Sequence, residues 1–135
     1  MSALVYVSLG SNVDRENNIR LAVEAMRQAF GVLRFSPVYE SAAVGFEGDD
    51  FLNLVAEFST DFDVRKVVLN LREIEDTLGR DRDQARFSPR AVDLDILTYD
   101  QLEMDKDGMQ IPRHEILVNS FVLRPLQDLA PDTLH

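Results

Sequence analysis

Two aspartates in an apolar stretch are the residues of this sequence best suited to chemistry. Asp93 and Asp95 lie within Val92–Tyr99, a run that predicts a β-strand. Residues two apart in a strand point to the same face, with Cα atoms roughly 6.6 Å apart. Two carboxylates on one face, with no His or Cys beside them, favour Mg²⁺ over Zn²⁺. The alternative is a pair of solvated acids on the polar face of an edge strand.

An arginine cluster comes directly before these acids. Four of the fourteen Lys and Arg residues fall within eleven positions, namely Arg80, Arg82, Arg86 and Arg90. Guanidinium groups are planar, permanently charged forks that match phosphate oxygens. Arginines next to paired carboxylates indicate a site for metal-bound polyphosphate, where catalysis needs mainly positioning and charge neutralisation. The alternative is a solubilising surface loop in which Asp81 and Asp83 pair with the arginines.

An aromatic ring and an amide share one face of a third segment. Phe51 and Asn53 lie on the same side of the alternating strand Phe51–Ser59. A ring offers a stacking surface and an amide can recognise a donor–acceptor edge, which suits a flat heterocycle. The alternative is a core phenylalanine beside a buried, backbone-bonded asparagine. By contrast, Gly10-Ser11-Asn12 is a weak phosphate-loop signal, and its spacing favours a plain tight turn.

Hydrophobic periodicity predicts the elements that position these residues. Strands are predicted at Leu4–Leu9, Leu33–Ser41, Phe51–Ser59 and Val92–Tyr99. One helix has the apolar positions Ile19, Ala22, Val23, Met26 and Phe30 and stops at Gly31; a second is capped by Asp63, carries Val64, Val67, Val68, Leu71, Ile74 and Leu78, and ends at Gly79. The order predicts one α+β domain over residues 1–135, a ferredoxin-like antiparallel sheet with helices packed on it.

Three further features refine this fold. Pro37 places its strand near a sheet edge or a bulge. A C-terminal extension follows the last strand, with a turn near Lys106-Asp107-Gly108 and an amphipathic segment at Phe121–Leu129. A fold of this kind does not by itself indicate a function.

Composition narrows the class of partner. The chain has 135 residues, 45% of them hydrophobic, no cysteine and a net charge of −10. An acidic protein with one local arginine cluster favours a small anionic ligand over nucleic acid or an anionic membrane. No secretory signal is visible, and no apolar run approaches the ~20 residues that span a bilayer. We expect a cytoplasmic protein that is a monomer.

These motifs occur in an order that resembles the 6-hydroxymethyl-7,8-dihydropterin pyrophosphokinase family over nearly the whole chain. The most specific segment runs from Arg86-Phe87-Ser88-Pro89-Arg90 into Asp93-Leu94-Asp95-Ile96-Leu97. Phe51-Leu52-Asn53 is similar to the family's pterin-binding Tyr/Phe-Leu-Asn. The segments Leu9–Asn12, Tyr39–Gly45 and Ile74–Arg82 resemble its opening strand-turn, pterin loop, and helix end with lid.

The resemblance implies a reaction and a set of residue roles. The family transfers pyrophosphate from ATP to 6-hydroxymethyl-7,8-dihydropterin and releases AMP, in folate biosynthesis. Asp93 and Asp95 would hold two Mg²⁺ ions. The residues implied to contact the reacting phosphates or complete the lid are Arg80, Arg82 and Arg90. Those implied for nucleotide binding are Glu75, Arg86, Phe87, Ile96 (through its backbone), Arg113 and His114. Those implied for pterin binding are Ser41, Ala42, Val44, Phe51, Asn53 and Phe121.

The sequence also departs from the family pattern. The family usually has His directly after its late proline, whereas this chain has Arg113 and then His114 after Pro112. Asn119 stands where an arginine is common, and Ala42-Ala43 where prolines are frequent. One alternative is therefore a diverged paralogue that binds nucleotide or pterin with weak or no catalysis. An RNA-binding module is disfavoured by the net charge, and a purely structural domain would leave the acids and arginines unexplained.

Overall fold

An antiparallel sheet with two helices against it forms the framework of the protein. The computed structural model describes residues 2–41, 51–79, 92–100, 102, 104–106 and 109–111. The elements are β1 (Ala3–Ser11), α1 (Arg15–Phe30), β2 (Arg34–Phe35), β3 (Tyr39–Ser41), β4 (Phe51–Thr60), α2 (Val64–Gly79), β5 (Asp93–Tyr99), β6 (Met104–Lys106) and β7 (Met109–Ile111).

The order of strands in the sheet is the ferredoxin-like one. Strands β2, β4, β1 and β5 follow one another across the sheet, and β3 pairs with β4 beside β2. All of these pairings are antiparallel. The predicted α+β fold is thereby confirmed. Strands β6 and β7 pair antiparallel, with Lys106 opposite Met109. Asp107 and Gly108 of the turn predicted there lie outside the described residues. The segment Phe121–Leu129 lies outside the described residues.

The core lies between one face of this sheet and the two helices. Leu9, Leu54 and Leu94 occupy equivalent positions on β1, β4 and β5 and are all buried there. Both helices contribute their predicted apolar positions, among them Ile19, Ala22, Met26, Phe30, Val67, Leu71 and Ile74. Because side chains alternate along a strand, burial of these residues directs their immediate neighbours to the opposite face.

The helix termini follow the signals in the sequence. The Lys66 N–H donates to Asp63 Oδ1 at 2.8 Å, so Asp63 caps α2 as predicted. Gly31 follows α1 with φ of 87°, and its N–H donates to the Arg27 carbonyl at 2.9 Å. A glycine reaches this φ without the steric cost that a side chain would bring. No helix in the described part of the chain is long and apolar enough to cross a membrane.

Two sequence-based boundaries were wrong. Gly10 and Ser11 do not form a turn; they extend β1 and pair with Asn53 and Leu52 of β4. The reason is long-range pairing, because β4 is long enough to continue the ladder past Leu9. The predicted strand Leu33–Ser41 is divided into β2 and β3, which lie at the side of the sheet as Pro37 indicated.

Ser36 bridges the gap between these two short strands. Its hydroxyl accepts the Val55 N–H at 2.9 Å and donates to the Pro37 carbonyl at 2.9 Å. Its own N–H donates to the Val55 carbonyl at 2.9 Å. Ser36 and Val55 are both buried, so the side chain supplies a backbone partner where the regular ladder is interrupted.

We expect Ser36→Ala to lower the free energy of unfolding by about 1–3 kcal/mol, because it leaves the buried Val55 N–H without this acceptor. Urea denaturation of the wild type and the variant measures the difference. Ser2→Ala is the matched control, since that hydroxyl donates to Asp61 at an exposed position and should matter by less than about 0.5 kcal/mol. Equal effects of the two substitutions would contradict the role assigned to Ser36.

Candidate active site

One transverse row of residues connects the metal-binding and heterocycle-binding candidates. Gly10 on β1 lies directly opposite Asn53 on one side and Asp93 on the other. Tyr39 on β3 continues the row beyond Asn53. Directly paired residues share a face, so Asn53, Gly10 and Asp93 all lie on the face away from the helices. Asn53 and Asp93 are therefore about two strand spacings apart, roughly 10 Å between backbones.

The two aspartates occupy the beginning of β5. Asp93 is exposed and Asp95 is half-buried, while the intervening Leu94 is buried in the core. Asp95 lies opposite Ser8, two residues along the same face of β1. This places both carboxylates on one side of a strand whose other side is anchored by packing, as the spacing predicted.

The chemistry of these donors fits Mg²⁺. The ion takes oxygen ligands and is commonly held by one or two carboxylates, with waters and substrate phosphates completing its shell. Among the described residues, no group of three or more His, Cys, Asp or Glu side chains forms a complete protein metal cage. A pair of carboxylates that leaves positions for phosphate oxygens is the arrangement expected for a metal–nucleotide complex rather than for a structural metal.

Glu75 on helix α2 forms a hydrogen bond to the backbone of this strand. Its side chain is buried, with 5% exposure, and its Oε2 accepts the Leu94 N–H at 2.9 Å. Leu94 stands between the two aspartates, so a helix side chain holds the backbone from which both candidate ligands project. Glu75 had been implicated in nucleotide binding only by resemblance, and that role stays a prediction.

Ile96 belongs to the same strand but its side chain serves the core. It is 6% exposed and lies opposite Val7 of β1. Any contact with a nucleotide would therefore involve its backbone, as the resemblance implied.

The heterocycle-binding candidates meet at the opposite side of the row. Ser41 lies directly opposite Phe51, and Asn53 follows two residues later on the same face of β4. Phe51 is half-buried and Asn53 is buried, with 8% exposure. The alternation predicted for β4 is confirmed, because Leu54, Ala56 and Phe58 face the helices instead.

A second row of polar residues lies further along the strands, on the face of the sheet away from the helices. Tyr6 on β1 lies opposite Glu57 on β4, which lies opposite Arg34 on β2. The Tyr6 hydroxyl donates to Glu57 Oε2, and Arg34 contacts Glu57 Oε1 at 3.0 Å. Burial, followed by the hydrogen bond to Glu57 and its charge, raises the pKa of Tyr6 well above its usual range. Tyr6 therefore stays protonated and serves as a structural donor.

Several predicted site residues lie outside the described residues. They are Ala42, Val44, Arg80, Arg82, Arg86, Phe87, Arg90, Arg113, His114 and Phe121. Of the described candidates, Asn53 and Asp93 lie in the row across β4, β1 and β5, and Phe51 and Asp95 lie two residues away on the same strands.

Comparison with known proteins identifies the family of this chain. Residues 6–131 match the family model of 7,8-dihydro-6-hydroxymethylpterin-pyrophosphokinase. The chain belongs to this family. It is 35% identical over 134 residues to the 2-amino-4-hydroxy-6-hydroxymethyldihydropteridine pyrophosphokinase of Bacillus subtilis, covering 96% of this chain and 80% of the relative.

Two further relatives show how widely the match extends. The protein of the same name from Aquifex aeolicus is 33% identical over 135 residues, which is 98% of this chain and 84% of that one. The mitochondrial folate synthesis bifunctional protein of Arabidopsis thaliana is 38% identical over 128 residues, which is 93% of this chain but 25% of that protein. The pyrophosphokinase family resemblance drawn from the motifs is thereby confirmed.

Gly10 is the member of the row that the sequence motifs did not assign to the site. Its place after an apolar run predicts a turn, although a glycine inside a strand pattern also marks close approach of another group. That signal was available, but only the register of β1 with β4 and β5 shows which groups approach.

We expect Glu75→Ala to lower the free energy of unfolding by about 1–3 kcal/mol, because the Leu94 N–H loses its acceptor. Glu75→Gln should lose less, since an amide oxygen can still accept that hydrogen bond. Glu73→Ala, on the exposed side of the same helix, is the matched control. Urea unfolding curves rank the three variants, and a Gln variant as unstable as the Ala variant would contradict the hydrogen-bonding role.

Proposed function

We propose that this chain transfers the β,γ-pyrophosphoryl group of ATP to the hydroxymethyl oxygen of 6-hydroxymethyl-7,8-dihydropterin and releases AMP. The observation that carries the proposal is the row in which Asn53, Gly10 and Asp93 face the same side of adjacent strands. Family membership supports the same reading. In this proposal Asn53 would recognise the pterin and Asp93 would bind the metal, on strands that lie two spacings apart in one sheet.

The chemical step is a displacement at phosphorus. The hydroxymethyl oxygen forms a bond to the β-phosphorus of ATP, and the bond from that phosphorus to the oxygen bridging to the α-phosphorus breaks. The electron pair leaves with AMP, and the hydroxyl proton passes to solvent. Such transfers depend on in-line positioning and charge neutralisation more than on a protein base.

In this proposal the negative charge of the phosphates is neutralised in two ways, by Mg²⁺ ions that the carboxylates hold and by arginines. Asp93 and Asp95 would hold two Mg²⁺ ions, which neutralise phosphate charge when bound. The arginines proposed to contact the transferring group are Arg80, Arg82 and Arg90. The nucleotide would also be held by Glu75, Arg86, Phe87, Ile96, Arg113 and His114. The chain acts on these small molecules as a cytoplasmic monomer in this proposal.

The pterin is assigned to the β3–β4 side of the row. Phe51 and Phe121 would stack on the two faces of the ring system, and Asn53 would hydrogen-bond to its edge. Ser41, Ala42 and Val44 would complete the pocket. The proposal is supported by the direct pairing of Ser41 with Phe51, which brings the two sequence segments together.

Nucleotide product analysis tests the whole proposal. Purified protein is mixed with Mg-ATP, with and without 6-hydroxymethyl-7,8-dihydropterin, and the nucleotides are separated by chromatography. AMP that forms only with the pterin supports pyrophosphoryl transfer. ADP as the product, or AMP formed equally without pterin, would contradict it.

A second candidate is a diverged family member that binds these ligands without efficient catalysis. Arg113 and Asn119 favour it, because they replace the histidine and arginine that the family pattern carries. Pterin and nucleotide binding without any AMP, in folded protein, would select this candidate over the first.

We expect Asp95→Asn to lower kcat/KM for AMP formation by about 100-fold or more, since a metal ligand supports several kcal/mol of transition-state stabilisation. Asp76→Asn is the control, because Asp76 is an exposed acid on α2. Raising the Mg²⁺ concentration should recover part of the lost activity in Asp95→Asn alone. Full activity of that variant at low Mg²⁺ would contradict the metal assignment.

A further inference from the structure

Gly10 is in close contact with the residue proposed to recognise the pterin. A Cβ atom built at Gly10 would lie 3.2 Å from Asn53 Oδ1 and 3.9 Å from Phe51 Cδ1. A separation of 3.2 Å is tighter than nine in ten real Cβ contacts. The Asn53 side chain therefore extends over β1, into the space that a side chain at position 10 would occupy.

Backbone conformation does not explain a glycine here. Gly10 lies in regular antiparallel pairing with both neighbouring strands, and in the described residues only Gly31 is a glycine with positive φ. Any L-residue could adopt the backbone of position 10. A glycine inside a strand costs about 0.5–1 kcal/mol relative to alanine, so its presence here suits a need for space rather than for conformation.

The space matters because of what lies on each side of it. Asn53 approaches Gly10 from β4, and Asp93 is paired with Gly10 from β5. The Asn53 amide oxygen, which lies beside Gly10, is therefore on the side of β4 that faces β1 and, beyond it, the strand that carries the candidate metal ligands. Its reach over β1 decides how close a heterocycle bound to it comes to that strand.

We propose that Gly10 is a positioning residue for pterin recognition: its lack of a side chain lets the Asn53 amide lie across β1 and so sets the place of the pterin relative to the metal-binding strand. This inference rests on the proposed function, because Asn53 must contact the pterin. It assigns Gly10 no direct part in the chemistry and no contact with the nucleotide.

Gly10→Ala tests the inference because alanine adds only the Cβ. The added atom must displace the amide by a few tenths of an ångström or rotate it, and hydrogen bonds weaken steeply with poor geometry. We expect the Kd for 6-hydroxymethylpterin, measured by isothermal titration calorimetry, to rise about tenfold. The Kd for a Mg²⁺ complex of a non-hydrolysable ATP analogue, measured without pterin, should change by less than about twofold.

A double-mutant cycle with Asn53→Ala separates positioning from a general structural effect. In the Asn53→Ala background there is no amide for the new Cβ to displace, so Gly10→Ala should raise the pterin Kd by less than about twofold. The coupling between the two positions would then be about 1–1.4 kcal/mol, the equivalent of a five- to tenfold difference in Kd. The same tenfold loss in both backgrounds would overturn the inference, as would no loss in either.

Folding and function are distinguished by two further measurements. If Gly10→Ala alone fails to fold, a Gly10→Ala/Asn53→Ala protein as stable as Asn53→Ala supports the contact, and an equally unfolded double variant overturns it. Wild-type protein that binds no pterin and forms no AMP overturns the proposed function itself. Wild-type activity combined with an unaffected Gly10→Ala overturns only the inference about Gly10.

Discussion

The register of the central strand β1 with its two neighbours determines the rest of the structure. Leu9 is paired with Leu54 on one side and with Leu94 on the other, and all three are buried against the helices. Because side chains alternate with a period of two, a slip of one residue would place this layer on the open face and bring polar residues into the core. The hydrophobic core therefore fixes the register, and the register in turn aligns Asn53, Gly10 and Asp93.

The metal-binding candidates lie at an edge of this sheet, where positioning is hardest. Strand β5 ends the strand order, so its outer backbone groups have no partner strand in the described sheet. Glu75 compensates at Leu94 by accepting its N–H from helix α2. A buried carboxylate costs desolvation energy and adds negative charge near two acids. In the proposed function, Mg²⁺ ions held by the two acids would offset part of that charge.

The sequence was sufficient for most of the fold and for the local patterns of the site. Periodicity located both helices and the alternation of β4, and the two-residue spacing of Asp93 and Asp95 predicted their shared face. These features depend on residues close together in the chain. The extension of β1 through Gly10 and the interruption at Ser36 depend instead on pairing with β4, a segment distant in sequence. A glycine that follows an apolar run can begin a turn, or it can extend the strand where another side chain needs space. The neighbouring residues in the sequence are the same in both cases.

The candidate residues Asn53 and Asp93 are both carried by strands of one sheet. The acceptor-binding and metal-binding candidates Asn53 and Asp93 are held by a shared sheet, so their spacing depends on strand geometry that packing enforces. The arginine-rich segment 80–91 follows α2, the helix that carries Glu75, and precedes β5, the strand that begins at Asp93. In the proposed reaction, the distance between the acceptor and the metal-bound phosphate must stay constant for in-line transfer. Gly10 lies between Asn53 and Asp93 in the sheet. Because it has no side chain, it places no additional atoms between the two candidate groups, which suits a constant distance between them.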